Sequence, residues 1–282
     1  MKANLAISVV MPVYKGDVPA HFDLALKSVS QQTYRAKEIL VVQDGPITPE
    51  LEQVLAYWQD LDPTIKTVIL DRNQGLSAAL NAGIVAAQYE WIARMDADDI
   101  CKLDRFEKQV HYINCHKDLA IVGSWIQEFD EQMSEVLDIR KLPETHEEIL
   151  KYAKWRCPFN HMTVMYKKSV IVSLGMYKTF KDDNNAGFGE DYELWARFLV
   201  KGYKAANLQE VLVDARTGKD FFSKRRRGMK YLKNEIKEIS DLKELGLINH
   251  FQWLIHVAIK SFVRLSPPFV VKGVYKILRL TS

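Results

Sequence analysis

Short apolar runs rich in β-branched residues alternate along the first part of the chain with longer segments whose apolar positions recur at helical spacing. Residues 5–10 form the first such run, closed by Met11-Pro12, and residues 21–32 read as a helix. Residues 38–42 return to a β-branched run that stops at Asp44-Gly45-Pro46. A helix over 49–58, a strand over 67–70, an Ala-rich helix over 75–88 and a strand over 89–95 continue the alternation. Strand and helix in turn predict an α/β fold, a doubly wound, mainly parallel sheet covered by helices on both faces. Further on, 102–116 reads as helix, 119–129 as extended chain and 164–166 as a short strand entering 168–174. Residues 182–187 are a polar loop ending in glycine. The helix expected over 190–201 carries the stripe Tyr192, Leu194, Trp195, Phe198, Leu199 and opens with Glu190-Asp191, where the helix dipole favours carboxylates.

With 282 residues, 48% of them hydrophobic, the chain fits one large domain with a smaller appendage. Its three cysteines are widely spaced and form no Cys-x-x-Cys pair, which argues against a disulfide framework or a structural zinc site. No apolar run reaches the roughly 18 residues needed to cross a bilayer, and residues 1–10 lack a signal-peptide pattern, so a cytoplasmic location is expected. The net charge of +3 conceals an asymmetry: residues 216–282 hold 15 Lys and Arg against 5 Asp and Glu. That stretch reads as a basic, amphipathic helical extension over 224–245, 251–265 and 269–280, led by Lys224-Arg225-Arg226-Arg227. Such helices can pack on the main domain, join two copies as a homodimer, or lie on an anionic membrane surface, peripheral on the inner face of the plasma membrane. A nucleic-acid-binding module is the rival reading of the arginine run; aromatic stacking motifs and a reader helix are missing, so no nucleic acid partner is expected.

Chemistry is expected where strands run out. Asp96-Ala97-Asp98 follows the apolar run of 89–95, and an open α/β sheet binds its ligand at the carboxyl ends of its strands. Alternate side chains of extended chain share a side, so Asp96 and Asp98 can hold one hard divalent cation, Mn²⁺ or Mg²⁺, which would neutralise a diphosphate. Pro12-Val13-Tyr14, Asp44 and the acidic triplet end strands that a doubly wound sheet brings together. Asp44 and the backbone around Val13 can hydrogen-bond a nucleotide base, although Asp44-Gly45-Pro46 also fits a plain turn. Asn73 can cap the Ala-rich helix, Gly75 permits close backbone approach, and Arg72 is either a cation near the diphosphate or a surface charge. Trp155 and Trp195 suit the core and could also stack on sugar rings. No Gly-rich phosphate loop follows the first strand, which separates the chain from dehydrogenases and nucleotidyltransferases on similar sheets.

The segments Val9-Val10-Met11-Pro12-Val13-Tyr14, Val41-Val42-Gln43-Asp44-Gly45, Asn73-Gln74-Gly75-Leu76-Ser77-Ala78-Ala79-Leu80-Asn81, Met95-Asp96-Ala97-Asp98-Asp99 and Gly189-Glu190-Asp191-Tyr192-Glu193-Leu194-Trp195 together resemble family 2 glycosyltransferases of the GT-A fold, most of all bacterial enzymes of capsular and exopolysaccharide synthesis. The resemblance implies a GT-A catalytic domain over residues 1–215, with a nucleotide-sugar half over about 1–100 and an acceptor half over about 101–215, followed by the 216–282 extension. It implies that Pro12, Val13, Tyr14 and Asp44 hold base and ribose, and that Asn73 and Gly75 border the nucleotide pocket. Asp96 would lie near ribose and metal, and Asp98 would contact the ion. Asp191 would be the general base of an inverting transfer, with Glu190 beside it and His161 lining the acceptor side. A UDP-sugar donor and a glycan or lipid-linked acceptor are implied. Gln43 departs from the pattern, since an acidic residue is common there.

Overall fold

The computed structural model describes residues 5–178, 189–217 and 229–265. Its first part is the expected alternation: β1 (Ile7–Val13), α1 (Pro19–Ser30), β2 (Glu38–Gln43), α2 (Pro49–Leu61), β3 (Ile65–Ile69), α3 (Leu76–Ala86) and β4 (Trp91–Arg94). β1 runs on through Pro12, which lies opposite Val42 of β2, so the strand expected to end at Val10 continues three residues further, to Val13. Local chemistry fixes several ends. Thr48 caps α2 by accepting from the Leu51 amide, with Pro49 at the first helical position and Glu50 and Glu52 in the first turn.

The second part holds β5 (Ile100–Cys101), α4 (Arg105–Cys115), β6 (Leu119–Phe129), β7 (Val136–Arg140), α5 (His146–Tyr152), β8 (Met165–Lys167), α6 (Lys168–Ser173), α7 (Glu190–Val200) and β9 (Lys204–Arg216). α8 (Met229–Glu244) and α9 (His250–Leu265) follow. The sheet order is β3-β2-β1-β4-β8-β6-β9-β5, with β7 extending alongside the outer half of β6. β3, β2, β1 and β4 are parallel, as is the long β6–β9 pair, whereas β8 joins β4 to β6 antiparallel to both. The doubly wound expectation thus describes the first half, and β8 is the hinge strand onto which the second half is built. The long strand β9 and the short β5 and β7 had no counterpart in the sequence reading. The arginine run, the 182–187 loop and the 269–280 stretch lie outside the described residues.

Alternation along the central strands explains how both faces are covered. Val9, Met11, Ile39 and Val41 point to a core shared with Phe22, Leu26, Leu51, Trp58, Phe106 and Val110 of α1, α2 and α4. Val10, Leu40 and Val42 point the other way, to Leu80 and Ile84 of α3, Leu194, Trp195 and Phe198 of α7, and Ile239 and Leu242 of α8. α8, the first helix beyond β9, therefore shares this second core. Among the described residues no helix is long and apolar enough to cross a membrane.

α3 sits so close to the sheet that a β-carbon on Gly83 would lie 2.4 Å from Val10 Cγ1 and 3.0 Å from Val42 Cγ2. Helix propensity alone would favour Gly83→Ala by about 1 kcal/mol. Overpacking outweighs it, and we expect a net loss of about 1–2 kcal/mol, seen as a lower urea midpoint at constant slope. A midpoint equal to or above that of the wild type would contradict this packing.

Candidate active site

The ends of β1, β2 and β4 meet as expected. The Asp44 amide donates to the Val13 carbonyl at 2.8 Å, and the buried Asp44 carboxylate accepts from the amides of Gln74 (2.7 Å) and Gly75 (2.9 Å) ahead of α3. Gly45 (φ 81°) lets the β3–α3 loop cross directly over it, since a β-carbon there would lie 2.4 Å from the Asn73 nitrogen. Asp44 and Gly45 thus fasten that loop. Gly75 is the N-cap of α3 with no side-chain cap, so the capping expected of Asn73 is not made, and the Asp44 carboxylate receives the amides leading into the helix instead. Arg72 and Asn73 are exposed on the loop.

After β1 the chain turns tightly: Tyr14 donates its amide to Asp17 Oδ2 at 2.9 Å, and Asp17 returns its own to the Tyr14 carbonyl. The backbone around Val13 is therefore largely paired within the protein, while half-buried Pro12 and the Tyr14 ring, 45% exposed, face outward. Asp17 had no place in the sequence reading. Burial pushes its carboxyl up to about 7 against the Tyr14 hydrogen bond, with Asp98 and Asp96 adding to the rise.

Beyond β4 the side chains alternate: Ala97 points into the core while Asp96 and Asp98 stay partly exposed. A third carboxylate, the buried Asp99, joins them, and ligand oxygens of Asp96, Asp98 and Asp99 lie within 4.8 Å of one another. Asp96 is gripped through both oxygens by the buried guanidinium of Arg94, the last residue of β4. Asp99 accepts the Arg216 amide at 2.8 Å, and the Arg216 guanidinium donates to the carbonyls of Asp98 and Glu131, so Arg216 braces the acidic turn from the end of β9. Burial, then the charge of Asp96, pushes Asp98 up to about 6, and the same causes raise Asp99 well above the carboxylate range. Three crowded carboxylates with this repulsion form an oxygen donor set that fits a hard divalent cation.

The residues expected on the acceptor side lie on α7 and the 3₁₀ turn His161–Thr163 before β8. His161 Nε2 lies 2.8 Å from the Tyr177 hydroxyl, and its ring meets the buried Trp195 edge-on. Burial and the charge of Arg94 hold the His161 imidazole well below its ordinary pKa, so it is neutral at neutral pH. Trp195 is core, whereas Trp155 is 46% exposed and tilts over His256 of α9. Asp191, in the first turn of α7, accepts from the Tyr192 amide through Oδ1, and the Cys157 thiol lies 3.5 Å from its Oδ2. Glu190 is buried with Oε2 lacking a hydrogen-bond partner among the described residues; burial, then Asp191, raises its pKa and Arg94 opposes the rise. Arg94 thus acts on Asp98 and Asp99 on one side and on His161 and Glu190 on the other.

A family profile described as Glycosyl transferase family 2 matches residues 8–174. The chain is 36% identical over 272 residues to the amylovoran biosynthesis glycosyltransferase AmsE of Erwinia amylovora, covering 95% of this chain and 97% of that one. It is 36% identical over 269 residues to the UDP-Gal:alpha-D-GlcNAc-diphosphoundecaprenol beta-1,3-galactosyltransferase of Escherichia coli, with 95% and 94% covered. An uncharacterized glycosyltransferase of Haemophilus influenzae is 38% identical over 272 residues, with 96% and 98% covered. The fold is also that of the crystal structure of S. aureus TarS 1-349 in complex with UDP-GlcNAc, with a TM-score of 0.65 at 15% identity over 92% of this chain and 73% of that one. With near-full-length relatives at this identity and the family profile over more than half its length, the chain belongs to glycosyl transferase family 2 and is a glycosyltransferase of the GT-A fold.

Proposed function

We propose that the protein moves a sugar from a UDP-sugar to a hydroxyl of a glycan or lipid-linked acceptor in surface polysaccharide synthesis, with inversion at the anomeric carbon and Asp191 as general base. The observation that carries this reading is the pairing of two acidic centres around one buried cation: the Asp96, Asp98, Asp99 cluster and the Glu190-Asp191 helix start both feel Arg94. The names of the E. coli and Erwinia relatives support the donor, the lipid diphosphate acceptor and the polysaccharide context.

On the donor side the exposed Tyr14 ring offers a face for the uracil, and Asp44 keeps the Arg72–Gly75 loop at the edge of the pocket. Asp96, Asp98 and Asp99 would hold Mn²⁺ or Mg²⁺, which when bound supplies Lewis-acid stabilisation to the leaving diphosphate. Asp96 is already paired with Arg94, so Asp98 and Asp99 are the carboxyls whose ionised forms such an ion would stabilise. On the acceptor side Asp191 accepts the proton of the attacking hydroxyl while the new C–O bond forms and the bond to the phosphate oxygen breaks. A single displacement with the base opposite the leaving group inverts the configuration. Cys157, raised well above the usual thiol range chiefly by burial and then by Asp191, stays protonated and can steady Asp191 through its thiol hydrogen.

An acceptor carried on a lipid would be met at a membrane, and α9 suits that encounter. Its polar groups face the protein: His256 bonds the Lys154 carbonyl, Trp253 bonds Ser240, and Lys260 and Arg264 pair with Glu235. Its outward stripe is apolar, with Phe251 70% and Phe262 63% exposed and Leu254 and Ile259 between them. Residues 250–282 contain no acidic side chain, so an anionic leaflet would meet no opposing charge there.

Two experiments bear on this reading. UDP with Mn²⁺ should raise the thermal midpoint more than either alone, and Asp191→Asn should keep that shift while transfer falls by about 10²-fold or more. Absence of a metal-dependent shift, or turnover in the variant close to wild type, would reject the donor site or the base respectively. Replacing Phe251 and Phe262 with Ser should cut co-sedimentation with anionic vesicles about tenfold. Undiminished binding would refute the surface role of α9, as would a concentration-dependent dimer that covers the same face.

A further inference from the structure

The C-terminal helices reach back to the head of α7. Gly189, the N-cap of α7, is left-handed (φ 71°), and a β-carbon there would lie 2.6 Å from Glu238 Oε1 and 2.9 Å from the Glu238 carboxyl carbon. The carboxyl of Glu238, on α8, is therefore laid against the α-carbon two residues before Asp191. α8 is held in that position by the packing of Ile239 and Leu242 against the α7 core and by the pairing of Glu235 with Arg264 and Lys260 of α9.

The charges that face Glu238 come from three helices. Lys260 of α9 is 4.0 Å from its Oε2 but only 3.4 Å from Glu235, so this cation is shared. Glu235 and Asp241 lie about one turn away on α8 itself, and Asp191 faces it from α7. Arg264 pairs with Glu235, and Lys178 and Lys237 face Asp241, so among the described residues Glu238 itself has only its share of Lys260. In agreement, burial pushes the Glu238 carboxyl up to about 7; Lys260 opposes the rise, and Asp191, Glu235 and Asp241 add to it.

We infer that Glu238 is a positioning residue for Asp191, a second carboxyl supplied by the C-terminal extension that packs against Gly189 and fixes the start of α7. The inference rests on the reading of Asp191 as the base. Ionised, Glu238 can pair with Lys260 of α9 and hold the head of α7 against α8. When Glu238 is protonated that tie loosens, and Asp191 is less well placed for the acceptor hydroxyl.

The test is the pH dependence of kcat for the full chain with saturating donor. The wild type should show a rise near pH 7 as Glu238 loses its proton, and Glu238→Gln should lose that inflection. Above it, kcat should fall about three- to tenfold with KM for the donor unchanged, and Glu238→Asp should restore part of the inflection. The sign for stability is separate: a carboxyl held above its unfolded value makes folding less favourable as pH rises through about 7, so Glu238→Gln should be at least as stable as wild type at pH 8. A purely structural Glu238 would instead lose stability on substitution and leave the profile shape intact. If Glu238→Gln does not fold, Lys260→Met removes the compensating cation and should move the inflection to higher pH. A profile unchanged in Glu238→Gln, or an inflection unmoved in Lys260→Met, overturns the inference. Asp191→Asn separates the cases: if it is inactive while Glu238→Gln behaves as wild type, only the role of Glu238 fails, and if it is active the base itself is wrong.

Discussion

A guanidinium taken out of water at the end of a central strand must be matched by charge, and the demands of Arg94 organise both sides of the active site. The side chain is almost wholly buried, so its desolvation has to be offset by a carboxylate at close range, which Asp96 supplies through two oxygens. That pairing fixes the direction in which the chain leaves β4 and hence where Asp98 and Asp99 point. The backbone beside it is held as well: the Arg94 amide donates to Val164, and its carbonyl receives the buried guanidinium of Arg105. A second buried cation below the first, its Nε bonded to Gln109, leaves the acidic turn little freedom to move.

The sheet topology explains why the same residue can serve two chemistries. β4 is the last parallel strand of the nucleotide half, and its other neighbour is the antiparallel β8, whose approach carries His161. A strand at that junction has the proposed donor-side groups at its tip and the proposed acceptor-side groups alongside. Tyr177 closes the arrangement, since it bonds His161 through its hydroxyl and Asn81 of α3 through its backbone, tying the acceptor wall to the helix behind the nucleotide loop.

The regular half was legible in the sequence because its strands and helices are specified by local periodicity, with Pro49, Gly75 and the Asp44-Gly45 pair marking the boundaries. β9 was not, because Lys204–Arg216 breaks its apolar alternation at Gln209-Glu210 and owes its extended form to β6, more than seventy residues away in the chain. Asp96, Asp98 and Asp191 could be picked out by position and family likeness. Arg94 was passed over inside an apolar run, although a charge in a strand otherwise made of Trp91, Ile92 and Ala93 is itself a sign that a partner must exist nearby. Asp17, Cys157 and Glu238 carry no comparable mark, since each meets the site only through tertiary packing.

The two acidic centres differ in how their charge is compensated, and the difference suits their proposed tasks. On the donor side Asp96 has Arg94, Asp99 has the Arg216 amide, and what is left over on Asp98 and Asp99 is what a divalent cation and a diphosphate would bring into balance. On the acceptor side Glu190 is buried without a partner for Oε2 among the described residues, and Glu238 shares one lysine with Glu235. A fully paired carboxylate is a weak proton acceptor, because the partner stabilises its charged form. Burying carboxyls that are not fully paired costs stability that only a well-packed frame can sustain. The burial of Ile239 and Leu242 of α8 against Leu194 and Trp195 of α7 supplies that frame, which gives the C-terminal extension a task at the active site independent of any surface it meets.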